Sequence, residues 1–73
     1  MSLKPPKDGN ELLDMYYLDM RSHLLEVAAA FDRIEAAGGA DNDPRLKRLR
    51  EIGAIAIGED RERAKRFLEH LSC

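Results

Sequence analysis

The most constraining feature of this chain is a stretch without proline or glycine that runs from Glu11 to Ala37. Its apolar residues recur every three or four positions, which predicts one long amphipathic α-helix. At a rise of 1.5 Å per residue, this helix would be roughly 40 Å long. A compact globule of 73 residues has a diameter of about 29 Å. The helix would therefore overhang any compact monomer made from this chain.

The apolar residues of the long helix fall into two sets. The first set alternates spacings of four and three, which is the pattern of a heptad seam. It consists of Leu13, Tyr17, Met20, Leu24, Val27, Phe31 and Ile34. A second set lies on another face and consists of Leu18, Leu25 and Ala29. A helix that is apolar on two sides is expected to pack against neighbours on both.

Capping signals delimit this helix. Asp8 and Glu11 have the spacing of a capping box, with Asn10 as a competing N-cap. Gly38 suits the C′ position that follows a helix. The sequence predicts a helix over residues 10–37, after an arm at residues 1–9 whose first three residues read as a remnant of an expression vector.

The segment after "GGADNDP" predicts a second helix over residues 44–57. Asp43-Pro44 supplies an N-cap followed by an N1 proline, and a stripe at spacing three follows it, formed by Leu46, Leu49, Ile52 and Ile55. The alternation in "AIAI" also fits a strand, but no second strand is available to pair with it. Gly53, unfavourable inside a helix, suggests the close approach of another backbone.

A third helix is expected over residues 60–71. Gly58 should end the second helix, and Glu59 or Asp60 should cap the third. The residues expected to face inward are Ala64, Phe67, Leu68 and Leu71.

These elements predict an all-α fold with a single helical domain over residues 10–73. In it, a long N-terminal helix packs against two shorter helices, and dimerisation completes an antiparallel helical bundle. A chain this short buries only about 60% of its unfolded surface. The lone cysteine, Cys73, allows no intrachain disulfide. Pairing with a second copy is the remaining means of stabilisation.

The two parts of the sequence have net charges of opposite sign. Residues 1–43 carry nine acids and four bases, a net of −5, whereas residues 44–73 carry five acids and eight bases, a net of +3. The basic residues either pair with the acidic first helix or form a surface for phosphates or nucleic acid. The candidate anion-binding residues are Arg45, Arg48, Arg63 and Arg66. The acidic pI and the interspersed glutamates argue against nucleic acid.

Other candidate sites have simpler explanations. Asp19, His23 and Glu26 are spaced so that they share one edge of the first helix, where they could hold a metal, but a solvated polar edge explains them as well. His70 and Cys73 lie three residues apart, and an ordinary surface thiol is the simpler interpretation. No cofactor is expected.

Two adjacent aromatic residues, Tyr16 and Tyr17, point about 100° apart on a helix. Tyr17 belongs to the seam, and Tyr16 is interpreted as an interface aromatic with its hydroxyl at the rim. No nucleophile has a base in a recognisable context, and no glycine-rich phosphate loop follows a strand. The sequence therefore predicts a protein that is not an enzyme. With no apolar run of membrane-spanning length and no signal peptide, a cytoplasmic protein is expected.

The segments "YYLDMRSHLLEVAAAFDRIEAAGG", "DPRLKRLREI" and "DRERAKRFLEHLS" resemble a group of short bacterial proteins of unassigned function. That group shares an aromatic-rich start, an "LLEVAAxxDRI" core and a "DRAKRxLexLS" ending. The resemblance spans residues 11–72 and implies a stand-alone helical protein without an assigned activity. It directs attention to Asp32, Arg33 and residues 63–66 as the polar positions to mutate first.

Together these observations predict a small, non-catalytic protein–protein interaction module that self-associates as a homodimer, with another protein as a further candidate partner. The alternative is a small nucleic-acid or phosphate-binding protein that uses the basic faces of the second and third helices.

Overall fold

The computed structural model describes residues 8–72, which form three α-helices and no strand. Helix α1 spans Gly9–Ala36, α2 spans Pro44–Ile57 and α3 spans Arg63–Leu71. The all-α class is thereby confirmed. The chain divides into two compact units after Gly38. The first unit contains α1 and the second contains α2 and α3. Residues 1–7 of the predicted arm lie outside the described residues.

A capping box begins helix α1, and two glycines end it. Its N-cap is Asp8, whose Oδ1 accepts a hydrogen bond from the Glu11 amide at 2.9 Å, while the Asp8 amide donates to Glu11 Oε1 at 3.3 Å. This reciprocal pair is the predicted capping box, and Asn10 lies inside the helix. At the other end, Gly38 and Gly39 have φ values of 107° and 78°. This left-handed conformation suits glycine and ends the helix.

Helix α2 shows the predicted start and end. The Arg45 amide donates to Asp43 Oδ1 at 2.9 Å, and Pro44 occupies the first turn, where an amide would have no partner inside the helix. Gly58 is the C-cap. The apolar segment that includes Ala54 and Ile57 is helical, so the strand interpretation is wrong.

The start of α3 was predicted three residues too early. Its N-cap is Glu62, in the left-handed region at φ 59°, and no side chain caps the helix. Asp60 lies two residues before the N-cap, and its carboxylate lies 3.7 Å from the Arg66 guanidinium. The loop is held instead by arginines of the first turn: Arg63 Nε donates to the Gly58 carbonyl and Arg66 Nη1 to the Arg61 carbonyl.

Helices α2 and α3 form an antiparallel hairpin. His70 Nε2 lies 3.0 Å from Glu51 Oε1, which joins the end of α3 to the middle of α2. Ile52 is 7% exposed and is the one buried side chain among residues 8–72. Leu68 and Leu71 were expected to face inward but are 62% and 42% exposed. The predicted inward face of α3 therefore included two residues that are exposed.

Gly53 does not have the close neighbour that the sequence suggested. A Cβ atom added there would meet no described atom within 4 Å, whereas one added at Gly58 would lie 2.9 Å from the Ala54 carbonyl oxygen. The open space at Gly53 indicates that alanine fits this helical position.

We therefore predict that Gly53→Ala stabilises the protein by about 0.5–1 kcal/mol, because alanine loses less backbone entropy in a helix. Gly58→Ala is the matched control and should destabilise, since its methyl group clashes with backbone. Urea unfolding followed by circular dichroism measures both. Destabilisation by Gly53→Ala would contradict the prediction and would indicate a neighbouring helix at that face in solution.

Candidate functional site

The seam on α1 is the largest apolar feature of the first unit. Five of its side chains are 52–55% exposed: Leu13, Tyr17, Met20, Leu24 and Val27. The other two, Phe31 and Ile34, have intermediate exposure. No side chain of α1, which the structure describes in full, is buried. An apolar stripe of this length at half exposure is typical of a surface that another helix covers.

The opposite side of α1 is also apolar. Leu18 and Leu25 are 67% and 65% exposed. Leu12 and Met15, which sequence reasoning passed over, are 39% and 50% exposed and widen the apolar surface near the N-terminus. The density of apolar residues in "LLDMYYLDM" was the signal that could have identified them.

The second unit contains an open apolar groove between α2 and α3. Its volume is about 450 Å³, and its lining residues are Ala56, Arg63, Ala64, Phe67 and Leu68. The groove has one charged lining residue, Arg63, whose Nε atom is bonded to the Gly58 carbonyl. This lining can pack against apolar side chains, but it contains no group suited to acid–base or nucleophilic chemistry.

Three of the four candidate anion-binding arginines interact with acceptors of their own chain. Arg45 forms a forked pair with Asp43, with Nη2–Oδ2 at 2.7 Å and Nε–Oδ1 at 3.1 Å. Arg63 bonds to the carbonyl of the preceding loop, and Arg66 lies near Asp60. Arg48 is exposed on α2. Three of the four arginines therefore hold helix ends and loops.

The Asp43–Arg45 pair shifts the pKa values of both side chains. The side-chain hydrogen bonds from Arg45, together with its backbone amide, lower the pKa of Asp43 from 3.8 to about 2. The same interaction raises the pKa of Arg45. Because the folded chain favours the ionised carboxylate, this pair stabilises α2 above the ordinary pKa of aspartate. Its contribution is lost as the pH falls from about 4 toward 2.

We predict that the Asp43 carboxylate titrates near pH 2 in the folded protein, as measured from its side-chain carbon chemical shift by NMR. Arg45→Ala should raise this midpoint toward 3.8, because it removes the side-chain bonds and keeps the backbone one. Lys47→Ala removes a nearby cation that does not bond to Asp43 and is the control. An unchanged midpoint in Arg45→Ala would contradict the assignment.

The metal candidates are not assembled into a site. Asp19, His23 and Glu26 are all exposed on α1, and no group of three or more His, Cys, Asp or Glu side chains in residues 8–72 is arranged to hold a metal ion. His70 bonds to Glu51, and Cys73 lies outside the described residues.

The two tyrosines remain surface aromatics, since Tyr16 and Tyr17 are 50% and 55% exposed. Each combines a large apolar ring with a polar tip, which is typical of residues at protein interfaces. No described helix is both long enough and apolar enough to cross a membrane.

Comparison with known proteins adds no assignment. No family model matches the sequence, and neither curated proteins nor solved structures give a significant match. The resemblance to short bacterial proteins stays a hypothesis, and the functional argument depends on the physical chemistry of the chain.

Proposed function

We propose that this protein is a small, non-catalytic helical interaction module that self-associates as a homodimer through the seam of α1. The observation that carries the proposal is the imbalance between exposed and buried apolar side chains. Among residues 8–72 one side chain is buried, while fourteen large apolar side chains are each at least 39% exposed. Burying a leucine or methionine side chain contributes roughly 1.5–3 kcal/mol, so covering the seam would stabilise the fold substantially.

Helix lengths support a second copy as the covering partner. Helix α1 has 28 residues and is about 42 Å long, whereas α2 and α3 have 14 and 9 residues and are about 21 and 14 Å long. The two short helices of one chain cannot cover both apolar sides of α1 along its length. A second α1 has the matching length and the matching heptad spacing. The completed assembly would be a helical bundle in which both faces of α1 are covered.

The alternative, a phosphate or nucleic-acid binder, has less support. Three of its four candidate arginines are occupied by acceptors of their own chain, as described above, and the formal net charge is −2. Binding to nucleic acid depends on several uncompensated cations that release counterions from the backbone. DNA retention that is high at 50 mM salt and falls steeply by 200 mM salt would favour this alternative over the module.

We predict that Leu24→Glu weakens self-association of the full chain by about 100-fold or more, because it removes a buried leucine from the seam of both copies and places a charge there. A polar stripe faces away from the seam and consists of Asp19, Ser22, Glu26 and Arg33, all exposed. Ser22→Glu adds the same charge on this polar side of α1 and is the matched control. Sedimentation equilibrium measures both dissociation constants.

Two outcomes would overturn the proposal. The first is a wild-type protein that sediments as a folded monomer at every concentration. The second is equal weakening by Leu24→Glu and Ser22→Glu, which would show that added charge, and not loss of the seam, disrupts the assembly.

A further inference from the structure

The residues that flank the seam carry information about how two α1 helices would be oriented. In heptad lettering, position a is occupied by Asn10, Tyr17, Leu24 and Phe31, and position d by Leu13, Met20, Val27 and Ile34. The flanking e positions are Asp14, Arg21, Ala28 and Glu35, and the flanking g positions are Gly9, Tyr16, His23 and Ala30. In a parallel pair each g residue faces the e residue five positions later on the other helix. In an antiparallel pair e faces e and g faces g.

An antiparallel pair with the greatest overlap is disfavoured by charge. Because α1 runs from residue 9 to residue 36, that register places Phe31 level with Leu13 of the second copy and Arg21 opposite Arg21 near the middle of the interface. Both guanidinium groups lie beside the apolar seam, where water is excluded and like charges repel more strongly than in bulk solvent.

Shifting the antiparallel register by one heptad does not remove the conflict. One shift places Asp14 opposite Glu35 at both ends of the interface and leaves Leu13 without a partner layer. The opposite shift pairs Asp14 with Arg21 favourably, but it moves Phe31 and Ile34 of both copies beyond the end of the other α1 helix. That register gives up part of the apolar burial that drives association.

A parallel, in-register pair has neither defect. Tyr16 would face Arg21 of the second copy, and a guanidinium over a tyrosine ring is an attractive cation–π arrangement. The other g–e pairs, such as Ala30 with Glu35, place no like charges opposite each other. Every layer from Leu13 to Ile34 is filled. The preference of helix dipoles for antiparallel packing is small and confined to the end turns.

Asn10 supplies an independent argument. It lies at an a position in the first turn of α1, and a buried asparagine at position a pairs with its own copy in parallel two-stranded coiled coils. In the antiparallel pair of greatest overlap Asn10 would instead lie level with Ile34 of the second copy, which offers its amide no hydrogen-bond partner.

From these pairings we propose that the α1 helices of two copies associate in parallel and in register along the seam, with Tyr16 of each copy against Arg21 of the other. This inference depends on the proposed self-association and adds its geometry: an interaction surface whose partner is the same surface of a second copy. The first turns of the two α1 helices would lie at the same end of the assembly.

Disulfide trapping in a Cys73→Ser background tests the orientation. Leu13→Cys and Ile34→Cys place single thiols near opposite ends of the seam. In a parallel, in-register pair each variant forms a disulfide with its own copy under mild oxidation. In the antiparallel pair of greatest overlap the two Leu13 positions are about 27 Å apart and the two Ile34 positions about 36 Å apart, so neither variant cross-links with itself.

Two controls separate failure of this inference from failure of the proposed function. Leu24→Cys lies near the middle of the seam and should cross-link in either orientation, whereas Ser22→Cys on the polar side should not. Cross-linking at Leu13, Leu24 and Ile34 supports the parallel pair. Cross-linking at Leu24 alone overturns the orientation and leaves self-association intact, and cross-linking at none of the three overturns both.

A second measurement leaves the seam unaltered. A nitroxide label at Leu12→Cys, outside the a and d positions, reports the distance between copies by pulsed electron paramagnetic resonance. The parallel pair predicts a single distance of about 25 Å, since helix axes in such pairs are 8–10 Å apart and the labels extend outward. A distance of about 40 Å or more would contradict it.

Discussion

Burial of the apolar surface of α1 is the constraint on which the rest of this account depends. The helix carries apolar side chains on two sides, and its described side chains are all at least partly exposed. Its caps define where it begins and ends, but caps contribute only about 1 kcal/mol each and do not by themselves stabilise a helix in water. Most helical stability in proteins comes from packing of the apolar face. The stability of α1 is therefore inseparable from whatever covers it.

The hairpin of α2 and α3 is held together by a different mixture of interactions. One buried isoleucine, one hydrogen bond between a histidine and a glutamate, and arginine contacts to loop acceptors join two short helices. The histidine and glutamate side chains are 38% and 43% exposed, and exposed pairs of this kind contribute at most about 1 kcal/mol. The open groove beside Phe67 shows that the hairpin, like α1, has apolar surface left over. Both units therefore have apolar surface exposed to solvent.

Helix ends that depend on bonds between neighbouring residues were predictable from the sequence, whereas the turn before α3 and the contacts of the arginines were not. The capping box at Asp8, the glycine end of α1 and the start of α2 at Asp43-Pro44 follow from bonds between residues two or three positions apart. The start of α3 was missed because the chain turns at Glu62 in a left-handed conformation that non-glycine residues seldom adopt. The candidate arginines were singled out by their charge. Their hydrogen-bond acceptors depend on the geometry of the loops, which cannot be read from the amino-acid composition.

Helicity as a function of concentration tests the central claim most directly. The full chain, diluted from tens of micromolar to nanomolar, can be followed by circular dichroism at 222 nm together with its thermal unfolding. If α1 depends on a second copy, the Tm rises with protein concentration and helicity falls on dilution, because mass action couples folding to association. A sharp, cooperative transition whose Tm and helicity are the same at every concentration would contradict the account.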